Sequence, residues 1–199
     1  MKPLIVSAVL FESESLQQLS GDTFDYYECG IGSINAAQKS VELARLAAGR
    51  HVIFTGSCGT FATFAEPYLV TTTTTLWLPT AYRTGDAYGV QGQDLPLSWS
   101  DRVSTIASDL PQVTTICSPG ISRTNILADD FKKDQHVENL ELYAVAAPLL
   151  KSCRQLDVIF GVTNAIGPDA HQQWKKHFRA TAEMAAEYIW RRFGEMEHN

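Results

Sequence analysis

At 199 residues the chain is long enough for one domain with a sizeable buried core, and its 45% hydrophobic and 19% charged residues exclude a disordered polymer. A formal net charge of -6, with a pI of about 5.3, excludes the basic footprint needed to hold a nucleic-acid backbone.

Met1-Lys2-Pro3 leads straight into the apolar stretch Leu4 to Leu10, which is too short to cross a bilayer and is followed by no small-residue cleavage site. It reads as a buried strand, Leu4–Val9, of a cytoplasmic protein with no membrane contact. Glu12 and Glu14 come next and read first as a solvated loop. Thr23–Cys29 is a second strand ending at the turn Gly30-Ile31-Gly32. A helix capped by Ser33 or Asn35 then runs to about Leu46, with Ile34, Ala37, Val41, Ala44 and Ala48 as its apolar stripe. Gly49 ends it. His51–Phe54 is a short strand feeding the glycine-bearing turn Thr55-Gly56-Ser57-Cys58-Gly59, and Tyr68–Leu78, with five threonines in a row, is a long one. Residues 79–99, which hold Pro79, Gly85, Gly89, Gly92 and Pro96, read as a long functional loop.

The second half continues the alternation. A helix near 101–109, a strand Val113–Cys117 and an irregular stretch from Ser118 to Asn125 precede a short strand at His136–Val137. Then come a helix Asn139–Lys151, a strand Val158–Val162 and a final amphipathic helix from about His171 to Phe193. Trp174, Phe178, Ala185, Tyr188 and Ile189 share one face of that helix. No repeat or linker divides the chain, so residues 1–199 read as a single α/β domain. The four cysteines, Cys29, Cys58, Cys117 and Cys153, are scattered among apolar or small residues and read as free buried thiols. The histidines show no metal-ligand spacing.

Taken one at a time, the candidate sites are ambiguous. Glu141 heads the apolar helix Leu142 to Leu150, so its carboxylate is either a desolvated functional group or a charge satisfied by the helix N-terminus. Both readings stand. The glycine turns fit neither a dinucleotide fingerprint nor a Walker loop and serve as tight connections unless a ligand uses their amides. Gly161 to Asp169 is a strand with a polar exit, the place where open α/β sheets bind ligands.

In order and together, these segments resemble the nucleoside phosphorylase/nucleosidase superfamily. Gly30-Ile31-Gly32-Ser33-Ile34-Asn35-Ala36-Ala37 resembles its G-I-G-x-x-N-A-A turn and helix, and Thr55-Gly56-Ser57-Cys58-Gly59 its T-G-S-x-G loop. Val137-Glu138-Asn139-Leu140-Glu141 resembles its V-E-x-M-E element. The resemblance implies a three-layer α/β sandwich around a central mixed, twisted sheet. It also implies a small-molecule purine nucleoside as ligand, no metal or organic cofactor, and a homo-oligomer of two or more subunits. Residue by residue, it makes Glu141 the ribose ligand with Leu140 beneath the sugar. It adds Asn139, Ser57, Gly56 and Thr163 to the substrate-binding set, and Glu12 and Asn164 to the catalytic one.

Two positions choose among branches. Phosphorylases of this superfamily place a phosphate-holding arginine just before the T-G-S-x-G loop, where this chain has Phe54, and the first 44 residues hold no arginine. Water is thus the expected nucleophile, positioned and deprotonated by Glu12. Thr163-Asn164 replaces the S-D of most purine nucleosidases, and with Ala165-Ile166-Gly167-Pro168-Asp169 and Trp174 it is similar to futalosine hydrolases. Asparagine cannot donate a proton as an acid, but it can hydrogen-bond the departing purine. Leu142 and Tyr143 stand where small residues are usual, and Ser118-Pro119-Gly120-Ile121-Ser122 only partly matches the S-G-D-x-F element. The expected activity is hydrolysis of a 5′-modified purine nucleoside, futalosine-like, with release of hypoxanthine. The alternatives are methylthioadenosine/adenosylhomocysteine hydrolysis, phosphorolysis, and a catalytically silent nucleoside-binding protein.

Overall fold

The computed structural model of the chain describes residues 1–78, 97–98, 107–125 and 132–194. The expectations for a helix near 101–109 and for most of a loop at 79–99 therefore lie largely outside the described residues. Inside that second span, Leu97–Ser98 is strand.

Among the described residues eight strands form one mixed sheet: β1 (Leu4–Ser7), β2 (Asp25–Glu28), β3 (His51–Thr60), β4 (Tyr68–Trp77), β5 (Leu97–Ser98), β6 (Gln112–Cys117), β7 (His136–Glu138) and β8 (Gln155–Ala165). β2, β1, β3 and β8 run parallel, Leu4 opposite Asp25 on one side and Val52 on the other, and His51 opposite Gln155. β4 lies antiparallel to β8 and parallel to β6, which lies parallel to β7. β7 returns antiparallel to β3, pairing Glu138 with Gly59. The pairings β3–β8–β4–β6–β7–β3 thus close on themselves, curling one half of the sheet into a small barrel.

Among the described residues four helices cover the sheet: α1 (Glu14–Ser20), α2 (Gly32–Leu46), α3 (Leu142–Ser152) and α4 (Ala170–Phe193). Because successive strand residues face opposite sides, β1 sends Leu4 and Val6 into a core shared with Leu43 of α2 and Leu149 of α3. Its Ile5 points the other way, into a core with Leu16 of α1 and Ile189 of α4. This is the expected three-layer sandwich. The fully buried Leu142, Val145 and Leu149 of α3 each contribute roughly 1.5–3 kcal/mol of apolar burial.

Three local expectations are corrected. Residues 55–59 form no turn: β3 continues through them to Thr60, beside an equally long β8, with one bulge between Cys58 and Gly59. The glycines are there for close approach. A Cβ on Gly56 would meet the Glu12 carboxylate at 3.2 Å, and one on Gly59 would meet the Ile166 side chain at 2.6 Å. Glu12 and Glu14 do not lie in a featureless loop, since Leu10–Glu12 is a 3-10 turn and α1 follows. Finally, the stripe of Ile34, Ala37 and Val41 faces outward on α2, whose buried face is Ser33, Ala36, Leu43 and Ala47. Periodicity sets a stripe's spacing but not which way it turns, and small residues let α2 pack closely beneath α3.

Candidate active site

A cavity of about 320 Å³ opens where the C-terminal ends of β1, β3, β7 and β8 converge. The link after β1 supplies Ala8 and the 3-10 turn supplies Phe11 and Glu12; β3 supplies Ser57 to Gly59; β7 and the segment after it supply Glu138 to Glu141. Thr163 and Asn164 come from β8, and His171 and Trp174 from α4.

Glu12, Glu138 and Glu141 all line this space. Glu12 Oε1 accepts hydrogen bonds from the Ser57 amide and from the Ser57 hydroxyl, both at 3.0 Å, while Oε2 accepts the Ala8 amide at 3.2 Å. Burial still pushes the Glu12 carboxyl above its ordinary range, since those donors only partly replace water. Glu141 Oε1 accepts the Gly32 amide at 2.8 Å, donated from a glycine with φ +81° in the turn that opens α2. Burial raises the Glu141 carboxyl to about 7, and the negative charge of Glu12 adds to the effect.

The two readings of Glu141 are separated here. Its side chain makes no cap hydrogen bond to α3. Asn139 caps the helix instead, its Oδ1 accepting the amides of Glu141 at 3.0 Å and Leu142 at 2.9 Å. Asn139 Nδ2 also donates to the Ser57 carbonyl at 3.2 Å, tying the helix start to β3. Asn164 Oδ1 accepts the Thr163 hydroxyl at 2.8 Å, and its Nδ2 donates one proton to the Ala165 carbonyl at 3.0 Å. An amide nitrogen carries two protons, so a second remains for a ligand.

No protein-family model matches the sequence, and no curated protein matches it. Solved structures do. The native futalosine hydrolase of Helicobacter pylori strain 26695 superposes with a TM-score of 0.77 at 12% identity, over 100% of this chain and 98% of that one. A Helicobacter pylori 5'-methylthioadenosine/S-adenosyl homocysteine nucleosidase superposes with a TM-score of 0.78 at 13% identity, over 98% of each chain. The chain has the nucleosidase fold. A third structure with this fold, a Streptococcus pneumoniae MTA/SAH nucleosidase in complex with 8-aminoadenine, gives a TM-score of 0.72 at 16% identity, over 95% of this chain and 97% of that one.

On this nucleosidase fold, Glu12, Ser57, Asn139, Leu140, Glu141, Thr163 and Asn164 all line one cavity, although they are drawn from four separate parts of the sequence. Gly56 does not line it. It lies behind Glu12, leaving room for the carboxylate. Several wall residues carried no signal of their own in the sequence: Ile31 within the glycine turn, Ile121, and Ala8, whose amide holds Glu12. In the sequence Glu138 reads as a motif letter and as an acid favoured near a helix start. Its buried carboxylate accepts the Ser118 hydroxyl at 2.9 Å, the Ser122 amide at 3.0 Å and the Ser122 hydroxyl, anchoring the segment that carries Ile121. Among the described residues no cluster of metal-ligating side chains occurs, and no helix is long and apolar enough to cross a membrane.

Proposed function

We propose that the chain is an N-ribosyl hydrolase acting on a purine nucleoside with a modified 5′ end, futalosine-like. The observation that carries this reading is a single cavity that brings the buried carboxylates of Glu12 and Glu141 beside the Asn164 amide, on the fold of nucleosidases. Glu141 accepts the ribose hydroxyls. Water attacks C1′ and gives its proton to Glu12 as the bond from C1′ to the base nitrogen breaks. The base leaves with the bonding electrons, steadied by the Asn164 amide, and then takes a proton from solvent. The apolar wall of Phe11, Ile31 and Trp174 suits a 5′ substituent.

Water rather than phosphate is the favoured nucleophile because Phe54 stands where phosphorylases carry their arginine. It is buried, with its ring edge-on to Phe160 at 5.8 Å. The four free, buried thiols fit a cytoplasmic protein. The outward apolar residues of α2 fit a homo-oligomer.

Base release from futalosine, methylthioadenosine, adenosylhomocysteine and inosine, each with and without phosphate, tests the proposal. Phosphate-independent release of hypoxanthine from futalosine is the expected result. Release of adenine keeps the mechanism and moves the substrate to the methylthioadenosine class, whereas binding with no release identifies a silent nucleoside binder. Glu12→Gln is expected to lower kcat by about 10²–10⁴-fold with little change in nucleoside binding. A variant with full activity would sink the assignment of the base.

A further inference from the structure

Trp174 reaches the cavity from α4 with its indole already clamped. His171 stacks on it with ring centroids 5.7 Å apart and planes 8° apart, and Phe178 stacks at 4.8 Å and 17°. Phe11 meets it edge-on at 6.2 Å. Packed against these rings, the indole has one polar atom to offer, and that atom has a partner: the indole Nε1–H donates to the Ser57 hydroxyl oxygen at 3.1 Å. An indole N–H only donates, so the Ser57 oxygen must accept here and send its own proton elsewhere. The acceptor is Glu12 Oε1 at 3.0 Å. Three groups from α4, β3 and the turn after β1 thus form one directed chain, Trp174 to Ser57 to Glu12.

We infer that Trp174 is a positioning residue, its stacked indole N–H orienting the Ser57 hydroxyl so that the Glu12 carboxylate is held in one direction for the base role proposed above. The inference rests on that role for its effect on turnover, but the hydrogen-bond chain itself can be read in the substrate-free protein. Each donor along the chain polarises the next, so losing the indole weakens the Ser57 bond to Glu12. A weaker donor favours the protonated carboxyl, and the Glu12 titration moves upward. A tryptophan that only packs against the pocket would change affinity or stability and leave that titration where it was.

Trp174→Phe keeps an aromatic ring in the stack and removes the N–H. In this variant the Glu12 carboxyl, followed by NMR without ligand, is expected to titrate about half a pH unit higher, with the acidic limb of kcat/KM moving by the same amount. The rate at the plateau is expected to fall about tenfold with KM little changed. Ser57→Ala, which leaves every ring in place, is expected to raise the same titration by about a full unit. Adding Trp174→Phe to Ser57→Ala should then do no further harm, because the two act in series.

Should the phenylalanine variant fold poorly, Ser57→Ala still decides: slow hydrogen exchange at the Trp174 indole N–H in the native protein, made faster by Ser57→Ala, supports the chain. An unmoved Glu12 titration in Trp174→Phe, losses that add in the double variant, or an indole exchange rate indifferent to Ser57 would each overturn the inference. If the native protein cleaves none of the four nucleosides, the proposed hydrolysis fails, while the titration and exchange readouts still judge the coupling.

Discussion

At Glu141 a carboxylate is held 5% exposed, with an amide from another element as its partner and Glu12 as a like-charged neighbour across the cavity. Its carboxyl titrates near 4.5 when unperturbed and at about 7 in the fold, so between those values the folded protein keeps a proton that the unfolded chain has lost. Stability therefore falls as pH rises through this window, and the full penalty is present above about pH 7. At about 1.36 kcal/mol per pH unit, that difference corresponds to roughly 3 kcal/mol. Glu141→Gln retains an oxygen for the Gly32 amide and removes the charge. We expect the ligand-free variant to melt several degrees above the native protein at pH 8, with the gain vanishing toward pH 4.5, and its turnover to be nearly abolished. Equal melting temperatures at pH 8 would show that the carboxylate is not strained in the fold.

Between elements, α4 and β8 approach closely at a glycine. Gly161 presents bare backbone to Thr181, and an added Cβ would sit 2.0 Å from the threonine methyl. Thr181 is β-branched, on a helix, with its hydroxyl bonded to the His177 carbonyl at 2.7 Å, so it cannot swing aside freely. Gly161→Ala is expected to lose about 1–3 kcal/mol in urea denaturation, and Thr181→Ala in the same chain to recover most of it. Additive losses would place the damage elsewhere. This contact also shows what the sequence could and could not reveal. Strand positions were legible from β-branched runs, and α4 from its 3.6-residue spacing, because local pattern governs both. Gly56, Gly59 and Gly161 were opaque: each is a glycine because of a side chain from a distant segment, Glu12, Ile166 or Thr181. The same holds for the site. Glu12, Glu141 and Asn164 were legible through motif order, whereas the capping role of Asn139 and the Trp174–Ser57 bond depend on chain directions that no local pattern specifies.

Over the whole molecule, the outward turn of α2 leaves a band that water covers poorly. Ile31 is 59% exposed, Ile34 72%, Val41 62% and Leu46 44%. Scattered apolar residues are ordinary on a surface, but four along one helix and its N-cap make a patch of the kind that marks a protein interface. Ile31 belongs to the patch and to the cavity wall alike, so a subunit seated on α2 would lie at the mouth of the site. This supports the homo-oligomer proposed for the chain, with a second copy as occupant in a self-complementary contact. Replacing Ile34 and Val41 together by Asp tests it, because neither side chain supports the core and the fold should change by only about 0.5 kcal/mol per site. Sedimentation at micromolar concentration is expected to show a dimer or larger assembly for the native protein and a monomer for the double variant. The same variant should bind nucleoside more weakly, since the cavity loses whatever the second copy contributes beside Ile31. A native protein that sediments as a monomer, or a double variant that stays assembled, would remove α2 from the interface.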